Sequence, residues 1–260
     1  GQRFESSRTR HFTYEELMRA LIIIPSRLES TRLSKKALAE ICGKPMIEWV
    51  LKRTTDANIG EVIVATCGNE IATAVANAKG RFIITDPDLP SGTDRVWAAY
   101  HSMGEPDVDV VINVQGDLPL LSPDHLREIL RPFENPEVDV STLATLITDP
   151  AEVNNQNVVK ICMDEPKNGI GRAVYFSRSA VPANALNFYH HVGVYAYRPK
   201  ALKEFVHYPP CYLEKTEKLE QLRFLQHGFR VDVAIIESAP VSVDTYADLE
   251  KVRSLAVDYC

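Results

Sequence analysis

Cysteines are few in this 260-residue sequence, and long apolar runs are absent. The cysteines form no CxxC pair and follow no regular spacing, which argues against both a disulfide framework and a zinc site; they are Cys42, Cys67, Cys162, Cys211 and Cys260. No run approaches the ~20 apolar residues that a membrane span needs. We therefore expect a protein of a reduced, cytoplasmic compartment with no membrane partner.

An excess of positive charge is also lacking. The net charge is −6 and the isoelectric point is about 5.7, which argues against a nucleic-acid partner. With 45% hydrophobic residues the chain can bury a full core. Residues 1–20 lack the apolar core of a secretory signal, so we interpret them as a leader, either native or an expression remnant. Residues 21–260 show no linker or repeat, which predicts a single domain.

Short apolar runs alternate with segments of helical periodicity. Runs at 21–24, 61–66, 81–85 and 109–114 have the length and β-branched content of buried strands. Helical patterns lie between them, at 44–53, at 69–78 and after position 95. This alternation predicts an α/β fold with a doubly wound, mainly parallel sheet.

A cationic loop follows the first predicted strand. Arg27, Arg32 and Lys36 lie there among serine and threonine residues, directly after the strand is stopped by Pro25. Cations, hydroxyls and free backbone N–H groups at the carboxyl end of a parallel strand are suited to binding phosphate. The alternative is an ordinary solvated basic loop.

Two further loops follow predicted strands and should reach the same edge of the sheet. One carries Ser91 and Arg95, and the other carries Gln115 and Asp117. Ligands of open α/β sheets bind beyond the carboxyl ends of the strands, which makes these residues candidates for nucleotide contact. Asp117 is the best single candidate for a Mg²⁺ ligand, because Mg²⁺ is usually held by one or two carboxylates beside substrate phosphates. A connection with a good helix start, or a capped turn, would give the same local patterns.

The regular alternation of strand and helix signals ends in the second half of the sequence. Residues 138–197 show strand signals with little helix between them, which predicts a mixed insertion with antiparallel strands. Residues 213–226 predict one strongly amphipathic helix. A last strand and turn lead to Asp244, which would add a second carboxylate to the site only if that strand lies near the active edge.

Seven segments, in order, resemble one family, the CMP-KDO synthetases, which activate 3-deoxy-D-manno-octulosonate (KDO). IPSRLESTRL is similar to the family loop IPARxxSTRLPGKPL, SGTDR matches the family's SGTDR or SGTER loop, and NVQGDLPL is similar to NVQGDEP. The later blocks that match are AVYFSRSAVP, HHVGVYAY, LEKTEKLEQLR and VDTYADLEKVR. The resemblance covers about residues 21–252.

The resemblance implies a nucleotide-diphospho-sugar transferase fold and a Mg²⁺-dependent reaction. In that reaction CMP passes from CTP to the anomeric hydroxyl of KDO, giving CMP-KDO and pyrophosphate for lipopolysaccharide biosynthesis. Arg27, Lys36 and Asp117 would be catalytic, and Asp117 and Asp244 would bind the metal. Cytidine and triphosphate contacts are expected from Arg27, Arg32, Lys36, Ser91, Arg95 and Gln115.

The resemblance also implies an acceptor site and an assembly. The KDO contacts of the family fall on Arg178, His191, Tyr195, Glu220 and Gln221. A homodimer is expected, with residues 138–197 supplying both acceptor pocket and contact surface. The family's Leu-Pro-Gly-Lys-Pro is replaced by Leu33-Ser34-Lys35-Lys36-Ala37, and Leu118 replaces the acidic residue that follows the aspartate. Alternative functions are the same chemistry on another acidic sugar, such as 8-amino-KDO or a sialic acid, or nucleotide binding without catalysis.

Overall fold

The computed structural model describes residues 18–28 and 33–259. Most of the predicted leader therefore lies outside the described residues, although Met18 is buried and Ala20 already begins the first strand. Eleven strands are present in this part of the chain: β1 (Ala20–Ser26), β2 (Glu40–Ile41), β3 (Lys44–Pro45), β4 (Gly60–Thr66), β5 (Arg81–Ile84), β6 (Val110–Asn113), β7 (Val140–Leu146), β8 (Lys160–Met163), β9 (Ile170–Ser177), β10 (Tyr189–Tyr197) and β11 (Val231–Ile236).

One sheet contains nine of these strands, in the order β5-β4-β1-β6-β10-β7-β11-β9-β8, and β2 and β3 form a separate ribbon. The four strands at the start of this order are parallel, with Ile22 opposite Val62 on one side and Ile112 on the other. All four therefore end at the same edge of the sheet. The loops that follow them meet there, as predicted for an α/β fold.

The rest of the sheet is mixed. Strand β10 runs antiparallel to both β6 and β7, whereas β11 is parallel to β7 and antiparallel to β9. The prediction of an α/β fold is confirmed, but "mainly parallel" fits the first four strands and the β7–β11 pair, not the sheet as a whole. The strands of residues 138–197 are continuous with the main sheet, because β10 pairs directly with β6.

Helices cover both faces of the sheet. The α-helices of the described chain are α1 (Met46–Thr55), α2 (Asn69–Asn77), α3 (Gly92–Ser102), α4 (Pro123–Glu128), α5 (Pro150–Val153), α6 (Pro199–His207), α7 (Tyr212–Glu217), α8 (Leu222–Gln226) and α9 (Tyr246–Ala256). Alternation along β1 sends Ile22 and Ile24 to one core and Leu21 and Ile23 to the other. Helices α1, α2 and α4 pack in the first core, and α3, α6 and α8 in the second.

The single amphipathic helix predicted for residues 213–226 is wrong. Two short helices, α7 and α8, are separated by a break at Lys218, whose backbone is left-handed with φ 56°. A left-handed residue cannot continue a right-handed helix, so the chain turns there. The break matters for the site, because Glu220 and Gln221 follow it.

The remaining expectations concern membranes and cysteines. Within the described ranges, no helix combines the length and the apolar character needed to cross a bilayer. Cys67, Cys162 and Cys211 carry free thiols, whereas Cys42 is disulfide-bonded, a bond that the scattered cysteine pattern did not predict.

Candidate active site

A cleft of about 780 Å³ lies beyond the carboxyl ends of the parallel strands. Its walls are the loops that follow β1, β5 and β6, together with the chain that precedes α9. These loops carry most of the predicted nucleotide and metal residues; Arg27, Lys36, Ser91, Arg95, Gln115, Asp117 and Asp244 all line the cleft. Residues that are far apart in sequence therefore share one solvent-accessible cavity.

The basic loop after β1 provides the cations. Arg27 is exposed, lines the cleft and lies just after the end of β1, outside the strands and helices. Arg32 lies outside the described residues. Lys36 opens a short 3₁₀ turn, Lys36–Leu38, which holds it half-buried against the carboxylates opposite.

Lys35 has an unusual backbone. Its φ is 51° and its ψ 37°, the left-handed conformation that favours glycine. The similar family loop has glycine at this position, a residue that adopts the left-handed conformation without the cost that a Cβ adds. The Lys35 ammonium pairs with Glu70 at 2.8 Å on the surface.

Asp117 and Asp244 converge on Lys36. The Nζ of Lys36 donates to Oδ2 of Asp117 at 2.8 Å and to Oδ1 of Asp244 at 3.2 Å. One ammonium thus bridges two carboxylates that are far apart in the sequence. Because each aspartate reaches the same nitrogen, both carboxylates are directed at one cationic group.

The convergence depends on the chain after β11 and not on that strand's position in the sheet. β11 is separated from β6 by β10 and β7, so our condition that the last strand lie near the active edge is not met. The segment after β11 instead returns to the cleft, where the backbone N–H of Val243 donates to the carbonyl of Asp117 at 3.0 Å. Thr245 then begins α9 with a capping box to Asp248, which fixes Asp244 immediately before the helix.

Gly116 allows the loop after β6 to lie against β1. A Cβ at this position would be 3.0 Å from the carbonyl oxygen of Pro25, a backbone atom that cannot move independently. A side chain at this position would crowd the Pro25 carbonyl, so glycine favours the close approach that brings Asp117 to the basic loop.

Ser91 and Arg95 organise the second loop. Ser91 caps α3, since its Oγ accepts from the backbone N–H of Asp94 at 3.1 Å. The guanidinium of Arg95 is buried and donates to Oγ1 of Thr85 at 2.5 Å and to the carbonyl of Asp86 at 3.0 Å. Both residues line the cleft, and their hydrogen bonds stabilise the loop that follows β5.

His191 and Tyr195 lie together on β10, with ring centroids 5.4 Å apart. Burial lowers the pKa of His191 to about 3, so the ring is neutral at ordinary pH. Thr142 gives its hydroxyl hydrogen to the carbonyl of Val194 at 2.8 Å, which makes Nε2 of His191 the donor to Thr142 at 3.0 Å. Burial also raises the pKa of Tyr195 well above its usual value, which keeps the phenol protonated.

The other acceptor candidates surround the helix break at Lys218. Arg178 donates to the carbonyl of Glu217 at 2.9 Å and to that of Lys218 at 3.4 Å. Glu220 accepts from the Thr93 hydroxyl at 2.5 Å, and burial raises the pKa of its carboxyl group. Gln221 is buried directly after it. Among the described residues that line the cleft, none is one of the five acceptor candidates.

The cytidylyltransferase family model matches residues 21–235. Curated relatives named 3-deoxy-manno-octulosonate cytidylyltransferase include one from Paramagnetospirillum magneticum, 48% identical over 90% of this chain and 96% of the relative. Another, from Sinorhizobium medicae, is 45% identical over 93% of this chain and 97% of the relative. The chain belongs to the 3-deoxy-manno-octulosonate cytidylyltransferase family.

Solved structures agree with this membership. A CMP:2-keto-3-deoxy-manno-octonic acid synthetase complexed with CTP is 35% identical, with a TM-score of 0.86, and the match covers 93% of this chain and 100% of that one. A UDP-glucose pyrophosphorylase complexed with UDP-glucose is 12% identical, with a TM-score of 0.68, over 94% of this chain and 100% of that one. The second likeness shows the fold alone. This cytidylyltransferase is accordingly a nucleotidyltransferase with the mixed α/β sheet of nucleotide-diphospho-sugar transferases.

Sequence reasoning omitted several residues of this cytidylyltransferase that line the cleft or connect its parts. Ser26, Leu89 and Pro90 line it; Ser26 lies inside IPSRLESTRL, and Leu89 and Pro90 directly precede SGTDR. Thr93 lies inside the SGTDR motif, but its contact with Glu220, which is 127 positions away, was not predicted. Leu118, where the family has an acidic residue, is buried in the core and not part of the cleft lining in the described structure.

Proposed function

We propose that the protein transfers CMP from CTP to the anomeric hydroxyl of KDO, giving CMP-KDO and pyrophosphate for lipopolysaccharide biosynthesis, with Mg²⁺ as cofactor. The observation that carries the proposal is the cluster of Lys36, Asp117 and Asp244 in a cleft also lined by Arg27. Family membership supports the chemistry, and the names of the relatives support the substrates.

The donor set fits Mg²⁺. Asp117 and Asp244 offer hard carboxylate oxygens, already bridged by the ammonium of Lys36 in place of a metal cation. Among the described residues, no group of three or more His, Cys, Asp or Glu side chains is arranged to hold a metal. Two carboxylates suit Mg²⁺, which keeps several waters and takes further ligands from substrate phosphates. When bound, the ion would stabilise charge on the phosphoryl oxygens and make the sugar hydroxyl more acidic.

The side chains of the cleft would hold the triphosphate. Arg27 can form charge-assisted hydrogen bonds to phosphate oxygens, and Lys36 can exchange its carboxylate partners for them. The anomeric hydroxyl then gives its proton to solvent, and its oxygen forms a bond to the α-phosphorus. The bond from that phosphorus to the bridging oxygen breaks, and pyrophosphate leaves. Fixed cations at the phosphoryl oxygens stabilise the negative charge that accumulates in this transition state.

The acceptor groups match an acidic sugar. We propose that His191, Tyr195, Glu220 and Gln221 contact KDO hydroxyls, and that Arg178 faces its carboxylate. With Nε2 donating to Thr142, the neutral His191 ring has Nδ1 as a hydrogen-bond acceptor, while the protonated Tyr195 can donate. The set therefore combines donors and acceptors, as a polyhydroxylated ligand requires.

A homodimer in which residues 138–197 form the contact is part of the proposal. Leu146, Val174 and Leu186 in this range are exposed apolar side chains, with 42%, 62% and 99% of their surface accessible. Sedimentation velocity would test the assembly, and a concentration-independent monomer would contradict it. The cytoplasmic location stays a prediction.

Pyrophosphate release tests the reaction. The protein is incubated with CTP, MgCl₂ and KDO, with EDTA, omission of KDO, and replacement by 8-amino-KDO or a sialic acid as controls. We expect release that requires both the metal and KDO. Release only with another acidic sugar would mean that this sugar, and not KDO, is the substrate. CTP binding without pyrophosphate release would contradict catalysis.

A further inference from the structure

A chain of buried polar side chains connects the cleft to the acceptor residues. Nε2 of Gln115 donates to Oδ1 of Asn113 at 3.0 Å, and Nδ2 of Asn113 donates to the Tyr197 hydroxyl at 3.4 Å. Thr93 lies next to the Tyr197 hydroxyl, and its own Oγ1 donates to Oε1 of Glu220 at 2.5 Å. We call these five residues the buried polar chain.

Its three inner members, Asn113, Tyr197 and Thr93, are completely buried. Each would otherwise leave a donor or acceptor without water, which is unfavourable in a core. They come from β6, β10 and α3, so the hydrogen bonds join elements that are separate in sequence. Burial makes the geometry of these side chains well defined.

The direction of donation is determined from the Glu220 end. A hydroxyl has one hydrogen, and Thr93 gives its hydrogen to the Glu220 carboxylate, so it has none to donate to Tyr197. The Tyr197 oxygen accepts from the Asn113 amide nitrogen, and the Asn113 oxygen accepts from Gln115. Oε1 of Gln115 remains as an acceptor, and it lies 3.8 Å from the point where a Cβ on Gly92 would sit, beside the cleft.

Thr93 occupies the critical position in this arrangement. It lies in the first turn of α3, next to the loop that borders the nucleotide cleft, and its hydroxyl reaches across to the segment that follows the break at Lys218. We propose that Thr93 is a positioning residue for the acceptor sugar, holding the Glu220 carboxylate in place through its hydroxyl. This rests on the proposed function, in which Glu220 contacts KDO.

The test compares Thr93→Val, which keeps the shape and removes the hydroxyl, with Thr93→Ser, which keeps the hydroxyl. Steady-state pyrophosphate release is measured with KDO varied at saturating CTP and Mg²⁺, and then with CTP varied. Loss of a hydrogen bond to a charged acceptor should raise the KM for KDO about 10- to 100-fold in Thr93→Val. The KM for CTP should stay within about twofold, and Thr93→Ser should restore the KM for KDO.

Thr54→Val is the matched control. Thr54 is also completely buried, but its hydroxyl makes no hydrogen bond within the described structure. The same chemical change should therefore leave both KM values unaltered. A double-mutant cycle adds Glu220→Gln, in whose background Thr93→Val should have less than about one third of its effect, because residues in direct contact are not additive.

Equal rises in both KM values, a fall in kcat alone, an unchanged KM for KDO, or failure of serine to rescue would each overturn the inference. If Thr93→Val does not fold, Thr93→Ala in the same assays replaces it, and Glu220→Gln should by itself raise the KM for KDO. Wild-type protein that turns over no acidic sugar would refute the proposed function. Wild-type turnover with an unaffected Thr93→Val variant refutes only the role of Thr93.

Discussion

Replacing Asp117 with asparagine separates its proposed metal-binding role from a structural one. The substitution keeps the size of the side chain and removes its charge. Asp117 is 24% exposed and pairs with Lys36 at 2.8 Å, but Lys36 keeps its second partner, Asp244, at 3.2 Å. The backbone hydrogen bond from Val243 to the Asp117 carbonyl also remains.

The expected loss of folding free energy is therefore about 1 kcal/mol, the value of one partly exposed ion pair. For a protein of this size that lowers the Tm by only about 2–4 °C. Activity should change far more. One of the two carboxylates that would hold Mg²⁺ disappears, and loss of transition-state charge stabilisation of this kind lowers kcat about 100- to 1,000-fold.

Differential scanning calorimetry and pyrophosphate release on the same preparation check both values. Electron paramagnetic resonance of Mn²⁺ in the presence of CTP measures metal affinity independently of turnover, and we expect it to weaken at least about 10-fold. Asp124→Asn is the matched control, since Asp124 is an exposed aspartate at the start of α4. A kcat within tenfold of wild type, or a Tm lowered by more than about 10 °C, would refute the reasoning.

Three other predictions concern stability. Lys35 has a left-handed backbone, which is unfavourable for any residue with a Cβ. Lys35→Gly and Lys35→Ala both lose the surface pair with Glu70, so urea unfolding should show the glycine variant to be more stable than the alanine variant by about 1 kcal/mol. Equal stabilities would contradict this. His191 has a pKa of about 3 in the folded protein and about 6.5 unfolded. Below pH 6.5 the unfolded state therefore binds an extra proton, and stability falls until about pH 3. Between pH 7 and pH 5 wild type should lose about 2 kcal/mol more than His191→Asn, as measured by denaturant titrations at both pH values. Glu214→Gln breaks a buried ion pair in which Oε1 of Glu214 lies 2.5 Å from Nη2 of Arg223, and it should lower the free energy of unfolding by about 3 kcal/mol. Glu250→Gln breaks the more exposed pair with Arg253 and should change the free energy of unfolding by less than about 0.5 kcal/mol. Thermal unfolding would distinguish the two, and similar Tm values would contradict the prediction.

Local patterns were reliable where an element is stabilised by its own residues. The runs at 21–24, 61–66 and 81–85 became β1, β4 and β5, because β-branched apolar residues between polar turns suit a buried parallel strand. Periodicity failed at 213–226, where apolar spacing continues through a left-handed Lys218. The contact of Glu220 with Thr93 favours the break over a continuous helix, and a contact between residues so far apart in the sequence leaves no local pattern.

The sequence by itself determined the α/β class, the parallel first half of the sheet, the cationic loop and, through its motifs, the family. Each of these depends on neighbouring residues or on short segments. Only the tertiary structure decided that β10 joins the two halves of the sheet. It also decided that the segment after β11 brings Asp244 close to Asp117, and that the Thr93 hydroxyl bonds to Glu220. These are contacts between residues about 80 to 130 positions apart, and their geometry follows from how the whole chain packs.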